Sequence, residues 1–289
     1  MTPGSARQFV LALVLFAVLA PVASSRATSG YHPGPFAGLG TWVDIYSSEW
    51  NDPKAAVAGM ARHGVKTLYL ETGNYSHAAP VYRPSEAGRF IEAAHAAGIR
   101  VVAWYLPSFL ILKQDRRKAV GAIRFRSATG QRFDGFALDI EATKVRGLRL
   151  RNNRLLMLSA RIRNAVHRKY PLGAITPSPV GMSPSYWPNI PYSSLTHYYK
   201  AFLPMAYSTL REIHTRSGTR AFMASTVRAI RKASGDVTFL VHIIGGLSGS
   251  MGRAEATGFM QAVTQTKPFG YSLYAFGQTT PATWRALAR

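Results

Sequence analysis

Eight short apolar runs recur along the chain from residue 41 onward: TWVDIY (41–46), VKTLYLE (65–71), RVVAWYL (100–106), GFALDIE (135–141), LGAITP (172–177), FLPMAY (202–207), VTFLVHII (237–244) and GYSLYAF (270–276). Each has strand length and is nearly continuous in apolar residues, the pattern of a strand covered on both faces. Between the runs the spacing becomes helical. Asp52-Pro53 supplies an N-cap followed by proline at the first helical position, and Gly64 ends that helix. Ser85-Glu86 opens the next helix and Gly98 closes it. From about Leu150 to Tyr170, the residues Leu155, Leu158, Ile162 and Val166 share one stripe, with arginines elsewhere. Prolines at 177, 179, 184, 188 and 191 crowd the region after the fifth run, so residues 178–199 read as a long loop with one short helix.

Strands alternating with helices predict a parallel sheet, and eight such units in about 250 residues predict a single α/β domain, a (β/α)8 TIM-type barrel over residues 38–289. An open doubly wound sheet is the competing arrangement. It commonly has fewer strands and a glycine-rich first turn, which the first unit here lacks.

The first residues follow another pattern. Arg7 precedes an apolar run, Phe9 to Ala20, and PVASSRA follows it. This is the layout of a cleavable signal peptide over residues 1–27, with residues 28–37 an irregular lead-in. The run is shorter than the roughly 20 residues that span a bilayer. The expected mature chain is secreted or cell-wall associated and has no integral membrane domain; an uncleaved anchor is the alternative. The chain has no cysteine, so its core must hold by burial alone. Its 35 basic and 13 acidic residues give a net charge of +22, or about +20 without Arg7 and Arg26. Such a surface attracts anionic cell-wall polymers or acidic glycans. No nucleic-acid-binding signature accompanies the charge, so no nucleic-acid partner is expected.

Against this basic background, GFALDIEAT (135–143) carries two carboxylates two positions apart, and no further acid follows until Glu212. Side chains alternate across a strand. Phe136, Leu138 and Ile140 then suit the face under the helices, while Ala137, Asp139 and Glu141 face the barrel axis. The same alternation turns Trp42, Asp44 and Tyr46 inward on the first strand and Thr67, Tyr69 and Glu71 inward on the second. Four acids thus converge on the rim where barrels build their sites. Same-face neighbours lie about 6.6 Å apart along a strand. Two charges near that separation repel by roughly 3 kcal/mol at an effective dielectric of 20, about two pKa units. That repulsion predicts one protonated and one ionised member, the condition for a general acid beside an electrostatic helper.

An Asp-x-Glu ending the fourth strand after FDGFAL resembles the catalytic strand of (β/α)8 glycoside hydrolases, at the level of the superfamily that includes family 18 chitinase-like enzymes and family 25 lysozymes. FLPMAYS (202–208) is similar to the strand-six Met-x-Tyr of the chitinase-like group, whose tyrosine faces substrate. Asp44 is similar in place to the aspartate that opens the lysozyme site. GYSLYAFGQTTPATWRAL resembles the last strand and helix of exported bacterial glycosidase-like proteins. The chain departs from the chitinase-like motif at Gly135 and Ala137, where that group is richer in aspartate. The resemblance implies Glu141 as general acid, with Asp139 holding its proton poise or orienting a substrate N-acetyl group. An N-acetylated sugar would supply its own carbonyl as nucleophile; otherwise Asp44 or Glu71 becomes nucleophile or base.

Trp42, Tyr46, Tyr105, Tyr207 and Tyr274 offer rings for sugar stacking, with core packing the alternative for each. His242, among apolar neighbours, reads as a core residue. No histidine or acidic cluster has metal-ligand spacing, so no metal or other cofactor is expected. GGLSGSMG (245–252) reads as a mobile loop, and the arginines of 144–169 as a solvated helix face. The expected function is an exported glycoside hydrolase acting on a poly- or oligosaccharide. The alternative is a catalytically silent barrel that binds glycans or anionic wall polymers.

Overall fold

Eight parallel strands follow one another around the barrel in chain order, and the eighth pairs back with the first. The computed structural model describes Met1 and residues 34–287. Apart from Met1, the expected signal segment lies outside the described residues, as does most of the lead-in. The elements run β1 (Gly38–Val43), α1 (Pro53–Arg62), β2 (Thr67–Asn74), α2 (Pro84–Ala96), β3 (Arg100–Leu106), α3 (Leu112–Arg124), β4 (Gly135–Asp139) and α4 (Leu148–Ala165). They continue as β5 (Leu172–Pro177), α5 (Tyr192–Leu195), β6 (Ala201–Met205), α6 (Arg216–Ser234), β7 (Leu240–Leu247), α7 (Arg253–Thr266), β8 (Gly270–Tyr274) and α8 (Pro281–Leu287). The (β/α)8 expectation holds. Asp52 caps α1 by accepting the Ala55 N–H, and Gly64 and Gly98 sit at positive φ past the ends of α1 and α2.

Alternation along each strand builds two cores. The outer one joins strands to helices and includes Val43, Leu68, Leu70, Phe136, Leu138 and Ile140. The inner one fills the barrel with Trp42, Tyr69, Val102, Trp104, Ala137 and Leu203, among others. The lead-in closes the bottom. Phe36 is buried in the inner cluster, and a Cβ on Gly173 would stand 2.8 Å from its ring. Gly173 is therefore small because a phenyl ring occupies the space above it.

A polar chain runs through this floor. His242 Nδ1 lies 2.9 Å from the Phe36 carbonyl, which can only accept, so this nitrogen carries the proton. Nε2 then accepts from the Ser272 hydroxyl at 2.9 Å, and Ser272 accepts the Trp42 indole N–H at 2.8 Å. Complete burial lowers the His242 pKa to about 4, keeping the ring neutral. Glycine at 270 makes room, since a Cβ there would collide with His242 Nδ1 and the Phe36 carbonyl.

Several local expectations are corrected. β1 ends at Val43, because Asp44 accepts the Tyr46 N–H at 2.8 Å and the Ser47 hydroxyl at 3.0 Å and turns the chain. Tyr46 is consequently 80% exposed, not inward-facing. Tyr105 points into the outer core, where its hydroxyl donates to Asp115 at 2.7 Å; Trp104 takes the inward position. Gly245 and Gly246 belong to β7, not to a loop. Arg151, in the segment read as a solvated face, is buried.

Truncating the plug tests the floor. Phe36→Ala should lower the unfolding free energy by about 3–5 kcal/mol, since a buried ring leaves a cavity. Val237→Ala, at an exposed site, should stay within about 0.5 kcal/mol. Equal urea midpoints for both variants would contradict the plug.

Candidate active site

Asp139 and Glu141 leave β4 at the mouth of the barrel. Ile140 between them is buried in the outer core, which turns its two neighbours toward the axis. Asp139 is 5% exposed, and its Oδ1 is buried without a hydrogen-bond partner. Glu141 is half-buried and lines a cleft of about 480 Å³, with Ser178, Tyr186, Met205, Tyr207 and Arg211 among the other walls.

The two carboxyls differ in what surrounds them. Burial, then the Glu141 and Glu71 charges, hold the Asp139 pKa well above the ordinary carboxylate range. Burial also raises Glu141. Repulsion was the expected cause of a retained proton; desolvation comes first, and repulsion adds to it at Asp139. Because the groups interact, their protons come off as a pair.

The other two acids stand toward the ends of β1 and β2, around the mouth from β4. Glu71 is 3% exposed and accepts the Ile45 N–H at 3.0 Å. Burial, with the Asp44 and Glu141 charges adding to it, raises its pKa to about 7. Glu71 faces the axis, since Leu70 beside it packs in the outer core. Asp44 is half-buried and already accepts from Tyr46, Ser47 and the Tyr274 hydroxyl.

Among the aromatic residues, Tyr207 lines the cleft beside Glu141. Burial, then the Asp139 and Glu141 charges, raise its pKa, so it stays a phenol. Tyr274 is half-buried, with its ring centroid 6.4 Å from that of Tyr207. Trp42 faces inward but stacks on Tyr69 at 4.2 Å and is 2% exposed, which leaves no face for a sugar. Tyr46 stands on the rim, where its hydroxyl accepts the Asn74 amide N–H at 3.4 Å.

Three contributors had little or no signal in sequence. Tyr186, from the proline-crowded loop after β5, donates its hydroxyl to the Glu141 carbonyl at 2.9 Å. Arg151 of α4 donates to the carbonyls of Val145 at 3.0 Å and Tyr186 at 2.7 Å, with its guanidinium 4.8 Å from the Trp187 ring centroid. It thereby ties the loop after β4 to the loop after β5 and holds the backbone that carries Glu141. Trp104, one strand from Asp139, has a buried indole N–H without a partner. Strand alternation with Val102 was its only signal. Among the described residues no group of three histidine or acidic side chains is arranged to hold a metal ion, and no helix is long and apolar enough to cross a membrane.

No protein-family model matches the sequence, and no curated protein matches it either. Solved structures do match in fold. A chitinase from Bacteroides thetaiotaomicron superposes with a TM-score of 0.63 at 11% identity, covering 87% of this chain and 94% of that one. A family GH18 chitinase from Cycas revoluta, in complex with allosamidin, gives 0.63 at 13% identity, covering 87% and 98%. The spore cortex-lytic enzyme SleL of Bacillus cereus gives 0.59 at 7% identity, covering 87% and 73%. The chain therefore shares the (β/α)8 barrel fold of these structures.

Glu71 carries a pH prediction. Its pKa rises from 4.5 to about 7 on folding, so the folded state favours the protonated form. The stability tied to that proton is fully present below about pH 4.5 and is lost as pH climbs through 7, by about 3 kcal/mol. Glu71→Gln should match wild type near pH 4.5 and exceed it in urea melts near pH 8. An unchanged difference at the two pH values would contradict the assignment.

Proposed function

We propose that this chain is an exported glycoside hydrolase that cleaves an N-acetylated glycan, with Glu141 as proton donor. The observation that carries the reading is the contrast within the pair. Glu141 opens to the cleft with a raised pKa, while Asp139 beneath it keeps a buried oxygen that nothing satisfies. An unpaired buried acceptor costs about 1–3 kcal/mol. A substrate acetamido N–H is a donor of the right kind to relieve it. The Cycas revoluta chitinase, which shares the fold, has been solved in complex with (GlcNAc)3.

The chemistry follows from which acids are free. Asp44 and Glu71 are committed to the β1 turn, which favours a nucleophile supplied by the sugar. Glu141 gives its proton to the glycosidic oxygen as the bond from that oxygen to the anomeric carbon breaks. The acetamido carbonyl oxygen bonds to the anomeric carbon from the opposite face, while Asp139 accepts the amide N–H. Water then attacks the anomeric carbon, giving its proton to the Glu141 carboxylate and reopening the acetamido ring. Two inversions at one carbon leave the configuration retained. Tyr207 and Arg211, on the cleft wall, are placed to contact the sugar and its substituents.

The committed Asp44 and Glu71 also favour a second reading, a silent barrel that binds glycans without cutting them. Turnover of chitin oligosaccharides and peptidoglycan separates the two. Glu141→Gln should reduce kcat by about 10²–10⁴ and leave oligosaccharide binding within roughly threefold. Binding by wild type with no turnover of either substrate would support the silent barrel and remove the hydrolase reading.

A further inference from the structure

A large concavity lies outside the mouth, against the outer helices. It measures about 1360 Å³ and runs between α6, α7 and α8. Arg216 and Arg220 enter it from the first two turns of α6, Arg253 from the start of α7, and Arg285 from α8. All four are exposed. Helices in a barrel run back against the strands, so α6 and α7 begin at the mouth end. Their amino termini add partial positive charge at that end of the groove. From Arg253 to Gln265 the floor extends for about 18 Å along α7.

Several arginines elsewhere on this basic surface are tied to backbone carbonyls. Arg163, in another concavity, donates to the carbonyls of His167 and Tyr170. Arg124 and Arg126, in a third, donate to the carbonyls of Ala165 and Gly130. Among the described residues, the side chains of Arg216, Arg220, Arg253 and Arg285 make no hydrogen bond or ion pair, and no carboxylate lines the groove. Nearby Glu255 is buried and committed to the Gly252 N–H at 2.7 Å and to His214 at 3.2 Å. Close packing fixes the arrangement: a Cβ on Gly258 of α7 would collide with the Arg216 backbone, so glycine alone lets α6 approach. Four exposed arginine side chains thus line one groove.

We propose that this groove binds a phosphodiester-linked polyol polymer. A guanidinium fork matches the two free oxygens of a phosphodiester, which stays ionised over the whole range in which proteins fold. The remaining lining selects among polyanions. No aromatic ring faces the groove, so neither pyranose rings nor nucleobases find a stacking surface. Thr257, Gln261, Thr264 and Gln265 instead offer hydroxyl and amide groups suited to the hydroxyls of a flexible polyol chain. The site is separate from the cleft, and its occupancy does not depend on the proposed hydrolysis.

Fluorescence anisotropy of labelled poly(glycerol phosphate) with the full chain tests this, at about 50 and 200 mM salt. Replacing Arg216, Arg220, Arg253 and Arg285 by Gln should weaken binding at least about 20-fold and reduce the log–log salt slope by roughly 3. A control with the same charge change, at exposed Arg116, Arg132, Arg168 and Lys200, should lose less than about threefold. None of these eight side chains holds a hydrogen bond among the described residues, so both variants should melt like wild type. Glu141→Gln should bind as wild type does. Equal losses in the two charge variants would overturn the proposal, because the attraction would then be diffuse. Equal or tighter binding of polygalacturonate or single-stranded DNA would also overturn it, by assigning the groove to another polyanion.

Discussion

Removing carboxyl groups from water is the constraint on which the mouth of this barrel depends. A buried carboxylate is costly unless it is paired or neutralised, and here no cation pairs with Asp139, Glu141 or Glu71 among the described residues. The remaining way to lower the cost is protonation, and burial raises the pKa of all three. On the cleft wall beside Glu141, the Arg211 guanidinium donates to the Gly181 carbonyl and pairs with none of these acids. Raised carboxyl pKa values are what the proposed acid chemistry requires.

The surroundings can be understood as support for that arrangement. Phe36 and the His242–Ser272–Trp42 chain close the floor with apolar bulk and a satisfied polar network. Arg151 and Tyr186 hold the loop that carries Glu141. Around the mouth from β4, Asp44 is occupied with turning the chain after β1 and Glu71 with the Ile45 N–H. The buried Asp139 Oδ1 is left without a partner, and the proposed N–H-donating ligand would satisfy it.

What was legible in the chain was periodic. Alternation in GFALDIE assigned Phe136, Leu138 and Ile140 to the helix layer and set Asp139 toward the axis, and the structure agrees. Alternation alone does not fix register where two aromatic residues are adjacent, so Tyr105 was expected at the sugar when Trp104 occupies the inward position. Strand ends were equally hard to see. Asp44 stops β1 by side-chain hydrogen bonds to the next turn, a local competition that hydrophobic pattern does not reveal. Tyr186 and Arg151 act across loops distant in sequence, and the free arginines of α6 to α8 become a set only when the helices pack.

The central claim is that burial keeps a proton on the acidic pair at the end of β4, on Asp139 above all. Infrared difference spectroscopy on carboxyl-labelled protein measures this directly, with Asp139→Asn and Glu141→Gln assigning the bands. A protonated carboxyl stretch at pH 6 that disappears with Asp139→Asn is the predicted result. Two ionised carboxylates at that pH would contradict the account.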